Sequence, residues 1–320
     1  MPLLRSSYRH PFYLFNGHLE TVIPSIFRHV EGVYQRERLE LPDGDFLDLD
    51  WMKRNGKNLV IITHGLEGNS ERHYSKGMAC YFYRHGWDAL AWNCRGCSGE
   101  INRLPRFYHH GATEDLAAVI DLAIRSGYEN ITLVGFSMGG SMSLKFLGER
   151  PILPKVIRNA IVFSVPCNLG DSARQLDQPE KKFYLQRFLK KLEVKIRAKA
   201  KLFPDLISAE NFHRIKTFRE FDNQYTAPLH GFADAEDFYH KASCNPFITH
   251  IPIPTLIVNA LNDPFLPASC YPFEIAKNHP WVYLETPERG GHVGFSLQGQ
   301  SSNWMEQKAF TFALQTLPNS

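Results

Sequence analysis

The chain has 320 residues, of which 43% are hydrophobic and 22% charged, and this composition is typical of a globular protein with a large core. A formal net charge of +3 gives no reason to expect binding to nucleic acid. No uninterrupted apolar stretch approaches the roughly 18 residues of a membrane-spanning helix, so none is predicted. We expect a single α/β domain over residues 1–320 that carries an insertion.

Six cysteines are scattered along the chain: Cys80, Cys94, Cys97, Cys167, Cys244 and Cys270. No signal-peptide pattern is visible near the first residue. We therefore expect reduced thiols and a cytoplasmic protein, because disulfides are rare in that compartment.

Residues 1–30 contain arginines and aromatic side chains but no apolar targeting segment, and we expect them to wrap the domain as an N-terminal arm. Polar and apolar side chains then alternate over residues 34–41 and 46–51, on either side of Pro42-Asp43-Gly44. Alternation around a turn of this kind predicts an antiparallel hairpin, here at the edge of a sheet.

From Leu59 onward, short apolar runs alternate with helical patterns. The predicted strands are 59–63, 88–92, one that begins at Ile131, 160–165, 255–259 and 282–285, and the predicted helices are 75–84, 113–125, 138–149 and 303–315. Strands that alternate with helices form a mostly parallel sheet covered on both faces. With the hairpin, the sequence predicts an eight-stranded sheet flanked by helices.

The alternation is interrupted over residues 168–243, where helical patterns and aromatic side chains dominate, and we expect a helical lid inserted in the domain. Its most basic part, residues 181–201, has an amphipathic pattern. We interpret its charges as a solvated helix face. The alternative hypothesis is peripheral contact of this basic lid helix with an anionic membrane, or with an acidic substrate.

The most informative segment is Gly135-Phe136-Ser137-Met138-Gly139, which joins a predicted strand to a predicted helix. A serine on such a tight turn adopts strained backbone angles and projects its hydroxyl group above the sheet. Glycines two residues before and after it avoid collisions with the neighbouring strand and helix. This arrangement is the nucleophile elbow of α/β-hydrolases, and it makes Ser137 the candidate nucleophile.

A nucleophilic serine needs a base and a group that orients the base, in the chain order serine, acid, histidine. Asp263 follows the strand 255–259 in a loop with two prolines, and we choose it as the acid over Asp171 and Asp177. His292 lies in the glycine-rich loop after the last strand and is the candidate base.

The oxyanion of an acyl transfer needs two backbone N–H donors. By position, we assign them to Met138, which follows the nucleophile, and to Leu66, in the loop after the strand 59–63. His64 precedes Leu66, and we expect it to anchor this loop through side-chain hydrogen bonds.

These segments resemble the YheT-like branch of the α/β-hydrolase superfamily, the AB-hydrolase type-4-like esterases. The resemblance rests on segments 16–21, 64–68, 93–100, 135–140, 262–265 and 291–295 and so covers almost the whole chain. It implies a carboxylic-ester hydrolase with the triad Ser137, Asp263 and His292 and with no cofactor. Eukaryotic members of this branch act on acylglycerols and phospholipids, or transfer acyl groups to alcohols.

The sequence therefore predicts a serine esterase for short- to medium-chain or lipid-like esters. The aromatic residues of the lid favour an apolar acyl group. Three alternatives remain open: an alcohol O-acyltransferase that uses the same triad, cleavage of a non-ester such as a thioester or an amide, and a non-catalytic binding protein on a hydrolase scaffold. The expected partner is a small-molecule or lipid ester and not a nucleic acid, and the oligomeric state is not predicted.

Two further motifs do not indicate a site. Cys94-x-x-Cys97 has the spacing of half a zinc site, but the sequence has no second pair of ligands, and we expect this loop to shape the floor of the pocket. His110 and Asp115 match an acyltransferase string by chance, and we interpret Asp115 as part of a helix start.

Overall fold

The computed structural model describes residues 3–317. Nine strands form its sheet: β1 Leu3–Leu4, β2 Gln35–Glu40, β3 Phe46–Met52, β4 Asn58–Thr63, β5 Asp88–Asn93, β6 Asn130–Phe136, β7 Ile157–Phe163, β8 Thr255–Val258 and β9 Val282–Glu285. Eight of these are the predicted strands, with bounds that differ by up to three residues. The ninth, β1, is too short to be predicted from its sequence, and it adds to the edge beside β9.

The strand order is β1-β9-β8-β7-β6-β4-β5-β3-β2. The hairpin of β2 and β3 is antiparallel, and β3 also pairs antiparallel with β5, whereas the other neighbours are parallel. The order of the strands reverses around β4, which lies between β5 and β6. Ligand sites in α/β sheets form at such a reversal, beyond the carboxyl ends of the strands.

The helices of the described chain are α1 Gly17–Phe27, α2 His73–Arg84, α3 Thr113–Arg125, α4 Met138–Glu149, α5 Leu169–Leu176, α6 Lys182–Leu202, α7 Phe218–Phe221, α8 Ala227–His230, α9 Ala235–Ala242, α10 Asn245–Ile248, α11 Phe273–Asn278 and α12 Trp304–Thr316. Helix α1 was not predicted and lies in the expected N-terminal arm. In residues 3–317, no helix has both the length and the apolar character needed to cross a bilayer.

Both faces of the sheet are buried, as the alternating side chains of β4 show. Leu59 and Ile61 of β4 belong to one core cluster with side chains of α3 and α4. Val60 and Ile62, which point to the opposite face, belong to a second cluster with side chains of α2 and α12. A continuous apolar strand is thus buried on both sides, as parallel strands usually are.

A third cluster of buried side chains is formed mainly by the helices between β7 and β8. It includes Leu185, Leu189, Leu192 and Ile196 along one face of α6. The spacing of three and four residues gives this helix an apolar stripe. The residues that the sequence assigned to a lid therefore have their own packed interior.

The basic charges of α6 are only partly on a solvated face. The Nζ atom of Lys199, which is fully buried, donates hydrogen bonds to the carbonyl oxygens of Asn102, at 2.7 Å, and Leu104. One turn earlier, the Lys195 Nζ lies 2.8 Å from a carboxylate oxygen of Glu67. The solvated-face interpretation is therefore wrong for these two lysines, because they tie α6 to the loops that follow β4 and β5.

Candidate active site

The turn between β6 and α4 has the strained geometry of a nucleophile elbow. Ser137 has φ 52° and ψ −117°, a conformation that costs a non-glycine residue on the order of 1–3 kcal/mol. A Cβ atom on Gly135 would lie 2.5 Å from the carbonyl oxygen of Gly139, and one on Gly139 would lie 2.2 Å from that of Thr63. Both glycines are therefore required by close backbone contacts.

The structure brings the three predicted triad residues into one hydrogen-bonded chain. The Ser137 Oγ lies 2.9 Å from the His292 Nε2. On the other side of the imidazole ring, Nδ1 lies 2.9 Å from the Asp263 Oδ2 and 3.1 Å from Oδ1. The ionised carboxylate can only accept hydrogen bonds, so the proton is on Nδ1 and Nε2 is free to accept the serine proton.

The Asp263 carboxylate is fully buried and held by its own loop. Its Oδ1 accepts the Phe265 N–H at 2.8 Å, and the Phe265 ring stacks on the His292 ring with 4.1 Å between centroids. The rival acids are used elsewhere, because Asp171 pairs with Arg174 and Asp177 accepts the Phe218 N–H.

The loop of His292 is fixed by the N-terminal helix α1, which sequence analysis did not anticipate. The His292 N–H donates to the Thr21 Oγ1 at 2.8 Å, and the Gly291 N–H donates to the Asn262 Oδ1 at 3.0 Å. The Asn262 amide in turn donates to the buried Glu20 carboxylate at 2.5 Å. Helix α1 thus joins the loop of the acid to the loop of the base.

The predicted oxyanion donors flank the nucleophile. Met138 is the first residue of α4, and the first N–H groups of a helix have no partner inside it. A Cβ on Gly65 would lie 3.2 Å from the Ser137 Cβ, which places the loop of Leu66 beside the serine. Within residues 3–317, the Leu66 N–H donates no hydrogen bond.

His64 is structural, as expected. Its Nε2 accepts the Cys94 N–H at 3.1 Å, so the proton is on Nδ1, which donates to the Gly65 carbonyl oxygen at 2.7 Å. Burial lowers the pKa of His64 to about 4, which keeps the ring neutral at physiological pH. The ring therefore fixes the loop between β4 and Leu66.

In the same loop, both the carboxylate and the backbone carbonyl oxygen of Glu67 accept hydrogen bonds. Its carboxylate accepts the Tyr108 hydroxyl at 2.6 Å and the Lys195 ammonium at 2.8 Å. Its carbonyl oxygen accepts Lys191 at 3.0 Å and Arg72 at 3.3 Å. Because Glu67 follows Leu66 directly, these contacts couple helix α6 to the candidate oxyanion donor.

Two cavities meet at Ser137 and His292. The larger one has a volume of about 1010 Å³, including space open to solvent, and its wall is mostly aromatic and aliphatic. Typical residues of this wall are Phe107, Leu169, Leu176, Leu192, Phe218 and Phe221. A cavity with such an apolar wall suits an acyl chain.

The buried carboxyl group of Asp222 lies at the wall of the larger cavity. Burial raises its pKa to about 7, although hydrogen bonds from Thr226 and Tyr239 act in the opposite direction. From about pH 4 to pH 7, the folded protein therefore keeps a proton that the unfolded chain has released. The free energy of unfolding falls as pH rises through this window, by at most about 1.4 kcal/mol per unit.

We expect Asp222→Asn to remove this contribution, so that the variant loses less stability than the unmodified chain between pH 4.5 and 7.5. Urea unfolding of both proteins at about five pH values measures the difference. Parallel pH profiles for the two proteins would contradict the assignment.

The loop 93–100 does not form a pocket floor, because none of its residues is part of the wall of either cavity. Its Arg95 is buried and forms ion pairs with Asp45 and Asp115. Asp115 lies in the first turn of α3, as expected, and its carboxylate faces Arg95.

The six cysteines are free and buried. Within the described part of the chain, no group of three or more His, Cys, Asp or Glu residues is arranged to hold a metal ion.

A family model described as alpha/beta hydrolase fold matches residues 58–297. The chain therefore belongs to the α/β-hydrolase family. Among curated proteins, YheT of Escherichia coli (strain K12), whose name includes the word esterase, is 35% identical over 289 residues, covering 88% of this chain and 84% of YheT. This similarity confirms the resemblance to the YheT-like branch.

A mouse relative, phospholipase ABHD3 of Mus musculus, is 29% identical over 307 residues, which cover 92% of this chain and 74% of that protein. Among solved structures, the Pyrococcus furiosus esterase Pf2001 superposes with a TM-score of 0.59 at 16% identity, covering 91% of this chain and 97% of the esterase. This structural similarity confirms the fold. The family and its relatives agree with the prediction of an ester-hydrolysing enzyme.

Proposed function

We propose that this protein is a serine carboxylic-ester hydrolase that acts through an acyl-enzyme intermediate. The proposal is carried by the hydrogen-bonded chain from Asp263 through His292 to Ser137, at the elbow and at the junction of two cavities. The substrates that we propose are short- to medium-chain or lipid-like esters, whose acyl group enters the larger cavity.

In the proposed reaction, the Ser137 Oγ attacks the ester carbonyl carbon while the His292 Nε2 takes its proton. The Leu66 and Met138 N–H groups bind the negative oxygen of the tetrahedral intermediate, and each such donor contributes about 3–4 kcal/mol in comparable enzymes. Asp263 keeps the imidazole in the correct tautomer and stabilises the imidazolium ion. His292 then gives the proton to the leaving alcohol.

The second half of the reaction releases the acid. His292 removes a proton from a water molecule, which attacks the acyl group on Ser137, and the serine recovers its proton when the ester bond breaks. We propose that residues 168–243 act as the lid of the site, because their apolar side chains form much of the wall of the larger cavity.

Labelling and turnover test this proposal together. We expect a fluorophosphonate to modify Ser137 with 1:1 stoichiometry, as located by peptide mass spectrometry. We also expect p-nitrophenyl esters from acetate to palmitate to be hydrolysed with an optimum above acetate, because longer acyl groups bury more apolar surface. A protein that neither reacts with the probe nor hydrolyses any ester of the series would overturn the proposal.

A further inference from the structure

The smaller cavity at Ser137 differs from the larger one in its charge. It has a volume of about 790 Å³, including space open to solvent, and lies between helices α1, α2 and α6. Three of its residues are cations: Arg72, Arg187 and Lys191. None of the described residues that line it is an aspartate or a glutamate.

Two of these cations lie on one face of α6. Tyr184, Arg187, Phe188 and Lys191 all line the cavity, and their spacing of three and four residues places them on the same side of the helix. Arg72 faces them from the residue that precedes α2. Within residues 3–317, none of the three cations forms an ion pair with a carboxylate.

The positions of two cations are fixed next to the candidate oxyanion loop. Lys191 and Arg72 both donate to the Glu67 carbonyl oxygen, at 3.0 Å and 3.3 Å. Each cation keeps further N–H groups for another acceptor. Burial and the nearby charge of Arg72 lower the pKa of Lys191 to about 8, although the charge of the Glu67 carboxylate acts in the opposite direction.

The two cavities meet at the nucleophile, so an ester bound there can extend its acyl group into one and its alcohol into the other. The larger cavity is apolar and suits the acyl chain, which leaves the smaller one for the alcohol. We propose that Arg72, Arg187 and Lys191 form a subsite for an anionic, oxygen-rich group on the alcohol of the substrate. This inference rests on the esterase function proposed above.

The chemistry of the three side chains agrees with such a ligand. Guanidinium groups bind the oxygens of phosphate or carboxylate through paired N–H donors, and ammonium groups add a mobile point charge. A phosphate group close to the ester would give these three cations the direct ion pair that none of them forms within residues 3–317. The preferred substrate is then an acyl ester of an alcohol that carries a phosphate or carboxylate group, and an ester of a neutral alcohol reacts more slowly.

A matched pair of substrates tests the subsite: 1-octanoylglycerol and 1-octanoylglycerol 3-phosphate, below their micellar concentrations. They share the acyl group and the ester bond and differ only in the phosphate. We expect kcat/KM to be about tenfold higher for the phosphate ester at low salt, and the ratio to decline as salt screens the charges. Inorganic phosphate should also slow fluorophosphonate labelling of Ser137, which shows whether free phosphate occupies the same subsite.

The variants Arg187→Gln and Arg187→Glu remove and reverse one charge of the subsite. The Arg187 side chain is exposed and forms no ion pair within the described chain, so both variants should fold. We expect the ratio of the two kcat/KM values to fall about fivefold for Gln and further for Glu. Lys182→Gln, which removes an exposed charge from the same helix outside the cavity, should leave the ratio unchanged.

Equal kcat/KM values for the two esters, with labelling that inorganic phosphate does not affect, would overturn the subsite. So would a preference that Arg187→Glu and Lys182→Gln change equally. Both results leave the esterase proposal intact, whereas failure of that proposal would appear as absent labelling and absent turnover of both esters.

Discussion

Ser137→Ala is expected to lower kcat/KM for the best p-nitrophenyl ester on the order of 10⁶-fold. The variant keeps the cavities and the oxyanion N–H groups but has no nucleophile, and loss of a catalytic serine has an effect of this order in other hydrolases. The remaining rate should come from binding and electrostatic stabilisation alone. Steady-state kinetics with active-site titration of the unmodified protein measures the change.

The matched control is Ser141→Ala. Ser141 lies one turn further along α4, is buried, and its Oγ has no hydrogen-bond partner within the described residues. Like Ser137→Ala, this variant removes one serine Oγ atom at helix α4, but it leaves the candidate active site unchanged. We expect near-normal kcat/KM and full fluorophosphonate labelling for this variant. If Ser137→Ala retained more than about a tenth of the activity, another residue would have to be the nucleophile.

The local features of the site were predictable because they depend on short-range constraints. Gly135 and Gly139 are required because a side chain at either position would collide with backbone atoms of adjacent elements. Their spacing around Ser137 is visible in the sequence, so the turn could be predicted from it. The positions of Asp263 and His292 follow from the order of strands in a parallel sheet, since each comes after a strand that ends at the same edge.

The features that were missed depend on contacts between distant parts of the chain. Thr21 and His292 are separated by 271 positions, and Glu20 and Asn262 by 242, so no local pattern connects them. The only signal was the segment 16–21, which carried the resemblance to the branch but had no assigned role. Helix α1 buries Glu20 at this junction, which accounts for that segment.

The basic helix α6 was misinterpreted for a related reason. Its sequence shows an apolar stripe flanked by cations, and such cations usually face solvent. Lys195 and Lys199 instead reach a carboxylate and two carbonyl oxygens on the loops after β4 and β5. Only the folded chain brings these acceptors to the helix.

The second large effect concerns the orientation of the base. Asp263 contacts the His292 Nδ1 at 2.9 Å and also accepts the Phe265 N–H at 2.8 Å. In Asp263→Asn, the oxygen can still accept from Phe265, which places the amide N–H₂ group opposite Nδ1. Nδ1 must then act as an acceptor, so the ring proton moves to Nε2. A protonated Nε2 cannot accept the proton of Ser137.

We therefore expect Asp263→Asn to lower kcat on the order of 10⁴-fold with little change in KM, because the substitution alters the tautomer and leaves both cavities in place. The rate of fluorophosphonate labelling should fall in parallel, since both reactions need the same proton transfer. Asp171→Asn and Asp177→Asn change the rival acids and should retain near-normal activity. If Asp177→Asn lost the activity and Asp263→Asn kept it, the acid of the site would be Asp177. His292 would then have to move away from Asp263 during the reaction.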